Sequence, residues 1–395
     1  MQLEARVEDA LRAIFEPEPR GGSGSGNDAP RDGPARPAPL AGATALASGD
    51  EQDAYGNLLQ AVVRSHAGLL RHLVTRIGPV APEFRVINYR CGPGRRAIET
   101  VRPVVEAYRG LSRSGYIAVC HADEADNDWS DLLAEACGPK GYAYGDPFVR
   151  RVASVGHLQH RFQTPGACSL GICFAATHKL SRAVPVVSPG TVAAHELAGR
   201  ARAELAARAE ADWAGFLRFR AEELHSRGYL LHCGFASPDG RDRTSAAGML
   251  RAIQTVAGKM AEEGLLNRRA LDSFVLPHCY RSAEELRRPL ESEPDLKRQF
   301  EEVSLTVAPL TADEDDIFAP LLGDPRRYGS HYAGLLRDFA FRPLNNRLFR
   351  PSADCEAEAE RLAETFFRRI AKLYAEAPEA YAANFWISTL VLRRR

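Results

Sequence analysis

The chain lacks an excess of either charge, and it has no apolar run of the length that spans a membrane. Its 395 residues contain 51 lysines and arginines against 51 aspartates and glutamates, so no overall field attracts nucleic acid or an anionic membrane. The start, MQLEARVEDALRAIF, has acidic residues where a secretory signal would be basic and then apolar. We therefore expect a cytoplasmic protein with neither a nucleic-acid nor a membrane partner.

Cysteine is also sparse, and its spacing is that of neither a zinc site nor a redox motif. The eight cysteines are scattered, and no two of them are separated by two residues as in C-x-x-C. This spacing favours reduced structural thiols over disulfides, and it predicts no metal site.

The composition divides the chain into a short leading segment and one large domain. Residues Glu16–Asp50 are rich in Gly, Pro, Ala and Ser and contain almost no large apolar side chain. Such a segment buries too little surface to offset its ordering entropy, so we expect a disordered linker. The spacing over Met1–Phe15 fits a short amphipathic helix, and residues 51–395 form the predicted domain.

Within that domain, apolar strand-like runs alternate with helical spacing. The runs are FRVINYRC, GYIAVCHA, ACSLGICFAATH and GYLLHCGFA, and a long helix is predicted over Val192–Arg227. Alternating strands and helices are typical of an α/β fold with a mostly parallel sheet covered on both faces. Ser245–Leu390 is mainly helical apart from EEVSLTVAPL and the last strand, NFWISTLVLRRR. We predict a Rossmann-like sheet with a helical cap, mainly over residues 245–345.

The stretch RVINYRCGPGRRAIE, Arg85–Glu99, joins a strand to a helix through a glycine-containing loop. Gly92 and Gly94 allow the backbone to approach a ligand, and the helix that follows offers free N–H groups. The alternative is a tight turn that needs glycine for structural reasons alone. Arg95 and Arg96 open the helix and can point to solvent.

An acid follows the second predicted strand, in VCHADEADNDWSDLLAE. In nucleotide-binding α/β folds an acid at this position, here Asp123, accepts hydrogen bonds from ribose hydroxyls. The pattern G-x-G-x-x-G of dinucleotide sites is absent, which favours a nucleoside without pyrophosphate, such as S-adenosylmethionine (SAM). The alternative for Asp123–Asp131 is helix capping with solvated charge.

Five stretches along the chain match, in order, the motifs of one enzyme family. NYRCGPGRRA is similar to D-L-G-C-S-S-G-P-N-T, and ADEADNDWS is similar to N-D-L-P-x-N-D-F-N. The others are CFAATHKLS, DWAGFLRFRAEELHSRG and KMAEEGLLNRRALDSFVLPHCYRSAEELRRPLE. Together they resemble the SABATH carboxyl methyltransferases, named for plant salicylate, benzoate and theobromine enzymes. The resemblance extends from about Tyr55 to the C-terminus, and it implies a SAM-binding α/β domain whose cap encloses a small acid.

The resemblance implies a set of cofactor-binding residues. Asp123 matches the ribose-binding acid, and His157 and Leu158 fall where the family has a serine and an aromatic residue near the adenine. Asn88 replaces the loop aspartate, and Arg90 replaces a loop glycine near the methionine end of SAM. The full set of candidates is Tyr55, Asn88, Arg90, Cys91, Gly94, Asp123, Glu124, His157 and Leu158.

On the substrate side, the resemblance implies contacts with a carboxylate. His178 and Lys179 occupy the position of a His-Trp pair, and an ammonium can bind an acid where the family uses the indole N–H. Surface exposure of Lys179 is the alternative. Gln60 matches the family's glutamine only with a compressed spacing, and Tyr280 is shifted by one residue from the family's tyrosine.

The predicted function is the SAM-dependent formation of a methyl ester of a small carboxylic acid, in bacterial specialised metabolism. The acid is already ionised at neutral pH, so catalysis needs positioning and no acid–base residue. High Ala and Arg usage fits a bacterial source, and the resemblance suggests a homodimer. Two alternatives remain open. One is an inactive relative that binds a ligand or partner, favoured by the changes at Asn88, Arg90, His157 and Lys179; the other is methyl transfer to N or O of a non-acid.

Overall fold

The computed structural model describes Leu40 and residues 54–182, 190–238, 244–311 and 316–395. The helix predicted over Met1–Phe15 lies outside these residues, and so does the linker predicted over Glu16–Asp50 apart from Leu40.

A seven-stranded sheet forms the centre of the described chain. Its strands are β1 Glu83–Tyr89, β2 Tyr116–Asp123, β3 Val149–Val155, β4 Cys168–Phe174, β5 Leu224–Ala236, β6 Phe300–Pro309 and β7 Trp386–Arg394. The order in space is β3-β2-β1-β4-β5-β7-β6. The first five strands are parallel, and β7 is antiparallel to both β5 and β6.

Twelve α-helices within the described ranges accompany the sheet. They are α1 Ala54–Ser65, α2 Ala67–Ile77, α3 Gly94–Leu111, α4 Trp129–Cys137, α5 Gly199–Glu223, α6 Ala247–Glu262, α7 Arg268–Asp272, α8 Ala283–Ser292, α9 Pro294–Gln299, α10 Pro325–Leu344, α11 Glu356–Glu376 and α12 Pro378–Tyr381. None of the helices in the described part of the chain is long and apolar enough to span a bilayer.

The central strands are apolar along nearly their whole length because helices cover both of their faces. Every residue of β4 from Cys168 to Cys173 is buried, and β1 is buried from Val86 to Tyr89. Continuous apolar runs of this kind are typical of parallel strands in α/β proteins. The prediction of a Rossmann-like α/β sheet is confirmed.

Two details differ from the sequence prediction. The strand β3 was not predicted, because it lies at the sheet edge and contains Arg150, Arg151 and Ser154 in place of an apolar run. The long helix is shorter than expected: it begins at Gly199 and ends at Glu223, where β5 starts directly.

The strand order reverses beside β1, and this reversal determines where a ligand can bind. From β1 the chain moves outward to β2 and β3, and it then returns to place β4 on the other side of β1. In open parallel sheets, ligands bind at the carboxyl ends of the strands near such a reversal. The cap helix α10 lies over this edge, where its Phe339 ring packs 5.9 Å from the Tyr55 ring of α1.

Candidate functional site

The loop after β1 turns sharply through two residues with left-handed backbone. Arg90 has φ 54° and Gly92 has φ 68°, and a residue other than glycine is uncommon in this region. The loop then enters α3 at Gly94, where a Cβ atom would lie 2.3 Å from the Asp131 carboxylate of α4. A side chain at position 94 would therefore force the exposed Asp131 carboxylate to move.

Asp123 ends β2 and accepts bonds from the loop beside it. Its Oδ2 accepts the Gly92 N–H at 2.8 Å and lies 3.8 Å from the Cys91 Sγ, while its Oδ1 accepts the Glu124 N–H at 2.8 Å. Burial, with the adjacent charge of Asp123, raises the pKa of the Cys91 thiol. Asp123 is thus anchored to the turn that follows β1, and its carboxylate faces the crevice.

The Arg90 side chain occupies the space in front of this carboxylate. Its Nη1 lies 3.1 Å from Asp123 Oδ1 and 2.6 Å from Glu124 Oε2. Burial opposes ionisation of Glu124, but the hydrogen bond and charge of Arg90, with a smaller effect of His157, lower the pKa of its carboxyl group. The guanidinium is therefore shared by both acids at the end of β2 and offsets part of their negative charge.

His157 and Leu158 lie opposite Glu124, on the segment after β3. The exposed His157 ring places Nδ1 2.9 Å from Glu124 Oε1, and both residues line the crevice. Their predicted place beside the adenine of the cofactor stays a prediction.

A buried ion pair beneath the crevice fixes this segment. Arg220 and Glu223 of α5 are both fully buried, with Nε and Oε2 2.8 Å apart. Arg220 donates to the Leu158 and His160 carbonyls at 3.4 and 2.7 Å. Glu223 accepts the Tyr89 hydroxyl at 2.6 Å and the Phe162 and Gln163 N–H groups. The pair therefore connects α5 to the end of β1 and to the segment that carries His157.

Two adjoining cavities lie at this edge of the sheet, and they share Arg90, Ala176 and Lys179. The smaller, of about 210 Å³, is lined by Gly92, Asp123 and Tyr55; we name it the cofactor-side cavity. The larger, of about 940 Å³, is the substrate-side cleft. Its apolar wall consists of Leu158, Leu180, Trp213, Phe216, Phe274, Pro277 and Phe339.

Lys179 stands at the boundary between the two cavities. Its side chain is open to the cavity space, and its ammonium has no ion pair or hydrogen bond among the described residues. Enclosure by protein, followed by repulsion from Arg90 and Arg96, lowers the pKa of Lys179 to about 8, against the smaller opposing effect of Glu124 and Asp123. A carboxylate bound here would relieve this repulsion.

Arg96 is a site residue that the sequence argument missed. Arg95 is exposed and pairs with Glu99 at 3.1 Å, as expected of a solvent-facing residue. The same expectation is wrong for Arg96, whose side chain folds back over the loop: a Cβ atom on Gly92 would lie 1.6 Å from its Nη2. Arg96 lines the cofactor-side cavity and has no ion-pair partner in the described ranges. An arginine in the first turn of a helix gives no sequence signal that its side chain will fold back over the preceding loop.

The two remaining cofactor candidates, Tyr55 and Asn88, differ in their access to the cofactor-side cavity. Tyr55 lines it, and burial raises the pKa of its hydroxyl to about 12. Asn88 is buried at the end of β1 and does not line either cavity; its Nδ2 has no hydrogen-bond partner among the described residues.

Three substrate candidates do not line the cleft. Gln60 accepts a hydrogen bond from Arg64 at 3.2 Å on the exposed side of α1. His178 is 1% exposed, and its ring lies parallel to Phe339 at 6.2 Å. Tyr280 lines a separate cavity on the other side of His278. Only Lys179 of the four substrate candidates faces the cleft directly.

The described residues include no group of three metal-ligating side chains. What the site offers is an acid at a strand end, backbone N–H groups at a helix start, and cations beside an apolar cleft. This arrangement can hold a nucleoside next to an anion.

The comparison with solved structures first defines the class of fold. A loganic acid methyltransferase with SAH superposes with a TM-score of 0.69 and 16% sequence identity, over 90% of this chain and 99% of that one. The chain therefore has the fold of a SAM-dependent methyltransferase.

The family follows from the sequence comparison. The model of the SAM dependent carboxyl methyltransferases matches residues 201–395, and this part of the chain belongs to that family. The resemblance derived from the motifs is confirmed, and SAM is the cofactor by which the family is described.

Two curated relatives match about half of the chain. The O-methyltransferase acrG of Aspergillus aculeatus is 31% identical over 224 residues, which is 56% of this chain and 58% of that protein. The loganic acid O-methyltransferase of Catharanthus roseus is 23% identical over 236 residues, 54% of this chain and 59% of that protein. The matches thus span less than two thirds of these relatives.

Proposed function

We propose that this protein binds SAM and transfers its methyl group to the carboxylate of a small organic acid. The observation that carries the proposal is Lys179, a cation without a partner in the described structure, between the cavity lined by Asp123 and the apolar cleft. The exposed ammonium of Lys179 would form an ion pair with a bound carboxylate, and the cleft offers an apolar surface for the rest of the acid. The family and the relatives' O-methyltransferase names agree with this chemistry.

The residues of the cofactor-side cavity fit the parts of SAM. Asp123 faces the cofactor-side cavity at the end of β2, where a ribose would bind, and we place the adenine against His157 and Leu158 in the adjoining part of the substrate-side cleft. Arg96 lies over the loop with no ion-pair partner in the described residues, and we assign it to the methionine carboxylate. Arg90 must leave Asp123 before the ribose can bind there.

When bound, SAM supplies a methyl group on a positive sulfur. The acceptor carboxylate would already be an ionised nucleophile, so the residues of this chain would not need to move a proton. Lys179 holds the acid by one oxygen and thereby aims the other, while Trp213, Phe216 and Phe339 exclude water from the cleft. Catalysis rests on positioning alone, with no general base.

One observation favours a second candidate, a relative that binds ligands without transferring methyl groups. Arg90 neutralises the acid that would bind ribose, which is unfavourable for SAM. Methyl transfer to a non-acid is favoured less, because Lys179 would then have no anion to bind.

Calorimetric titration with SAM and with its demethylated product SAH tests the proposal. We expect both to bind the full-length protein and Asp123→Asn to weaken both, since the amide cannot replace a charged acceptor. Glu135→Gln, on the exposed surface of α4, is the control. Absence of binding at millimolar ligand excludes the methyltransferase. If SAM binds, labelled SAM with aromatic and aliphatic acids follows, and binding without any turnover supports the second candidate.

A further inference from the structure

The carboxylate of Asp123 has no free acceptor position. A carboxylate has about four lone-pair sites. On Oδ1 they face the Glu124 N–H at 2.8 Å and the Arg90 guanidinium at 3.1 Å; on Oδ2 they face the Gly92 N–H at 2.8 Å and the Cys91 thiol at 3.8 Å. Three of these four groups belong to the loop and the strand end, and Arg90 is the one whose residue lines both cavities.

Arg90 is also the one of these partners that can leave. Its side chain is 23% exposed and lines both the cofactor-side cavity and the substrate-side cleft. A rotation about its side-chain bonds would move the guanidinium from the first space into the second. The Gly92 and Glu124 N–H groups are fixed by the backbone and have no such freedom.

We propose that Arg90 is an internal competitor of the cofactor's ribose, so that it sets the affinity of the protein for SAM. A ribose hydroxyl must donate to Asp123, and it can do so only by displacing the guanidinium. The inference rests on the proposed function, because it concerns the same cofactor. It attributes the weak SAM binding that we expect to competition by the Arg90 side chain, and not to loss of the cofactor site.

The experiment is calorimetric titration of the full-length protein with SAH, which binds without turnover. The variants are Arg90→Asn and Arg95→Asn. Asparagine tolerates the left-handed backbone at position 90 better than most residues, so the turn is retained. Arg95 is the matched control, because it lies in the same stretch but pairs only with Glu99 on the exposed side of α3.

We expect Arg90→Asn to bind SAH about tenfold more tightly than the wild type, because a charge-assisted contact no longer has to be broken. Arg95→Asn should bind like the wild type. Raising NaCl from about 0.05 M to about 0.5 M should favour SAH binding to the wild type relative to Arg90→Asn, since salt weakens the competing ion pair only where Arg90 is present. The effect of salt on the contact between Arg96 and the SAH carboxylate is common to both proteins and cancels in this comparison.

Equal or weaker binding by Arg90→Asn, in a variant whose thermal unfolding matches the wild type, contradicts the inference and leaves the proposed function intact. Arg90→Gly repeats the test with a residue that has no preference against positive φ. If neither the wild type nor either Arg90 variant binds SAH, both the inference and the proposed function are wrong.

Discussion

The two cavities at the carboxyl edge of the sheet differ in how their charges are balanced. On the cofactor side, Asp123 and Glu124 share the positive charge of Arg90 within the protein itself. At the boundary of the substrate-side cleft, Lys179 has no anionic partner among the described residues and is repelled by Arg90 and Arg96. A ligand that enters the cofactor-side cavity must displace the Arg90 guanidinium. An anion that enters the substrate-side cleft supplies the counter-charge that Lys179 lacks.

This difference determines what controls the affinity of each ligand. An anion entering the cleft gains an ion pair and breaks none, so its affinity follows the charge state of Lys179. A ribose entering the other cavity exchanges one contact for another, so its affinity follows the strength of the contact that it replaces. Variants that alter one of the two cavities at a time test this difference.

The largest effect is expected from breaking the buried pair beneath the cofactor side. Glu223→Gln leaves the fully buried Arg220 without its counter-charge, so we expect the free energy of unfolding to fall by roughly 3–5 kcal/mol. Urea denaturation measures this change. Glu222→Gln is the control, because Glu222 is half exposed and pairs with Arg161 at 3.3 Å. A loss for Glu223→Gln as small as that of the control would contradict the structural role of the pair.

The second largest effect is expected on binding of the acid in the substrate-side cleft. Lys179→Met keeps an unbranched side chain and removes its charge, so binding of the acid that gives turnover should weaken by about 1.5–3 kcal/mol. SAH binding should change little. Calorimetry with each ligand separates the two, and Lys372→Met, at an exposed position of α11, is the control. Unchanged acid binding would place the carboxylate elsewhere in the cleft.

The pH dependence of acid binding tests the same role of Lys179. The pKa of Lys179 is lowered to about 8, so the ammonium is charged below this pH and neutral above it, while a carboxylic acid stays ionised throughout. Acid affinity should therefore fall as the pH rises through about 8. The dependence should disappear in Lys179→Met. Titrations of both proteins from about pH 6 to about pH 10 measure it, and an affinity that is flat over this range in the wild type would exclude the clamp.

The smallest effect is expected where the cap meets the acidic segment. Arg342 of α10 forms an exposed ion pair with Asp126, which lines the cofactor-side cavity. Exposed pairs of this kind contribute little, so Arg342→Gln should change the free energy of unfolding by less than about 0.5 kcal/mol. The exposed Arg337–Glu364 pair provides a matched variant, Arg337→Gln. A clearly larger loss for Arg342→Gln in urea denaturation would show that this contact holds the cap to the sheet.

Much of the fold could be predicted because its central strands are buried on both faces. The apolar runs that became β1, β2, β4 and β5 are visible in the sequence, and so are β6 and β7. The edge strand β3 was missed, because one exposed edge and partly exposed faces allow arginines within it.

The candidate site, like the fold, could be predicted only in part. The sequence by itself determined that a glycine loop and Asp123 end neighbouring strands, because parallel strands bring their carboxyl ends to one edge. Only the tertiary structure decided that Arg90 neutralises Asp123, that Arg96 turns inward, and that Lys179 has no partner in the described chain while Gln60 and His178 do not line the cleft. The direction of a long, flexible side chain depends on charges that are distant along the sequence, and no local pattern records them.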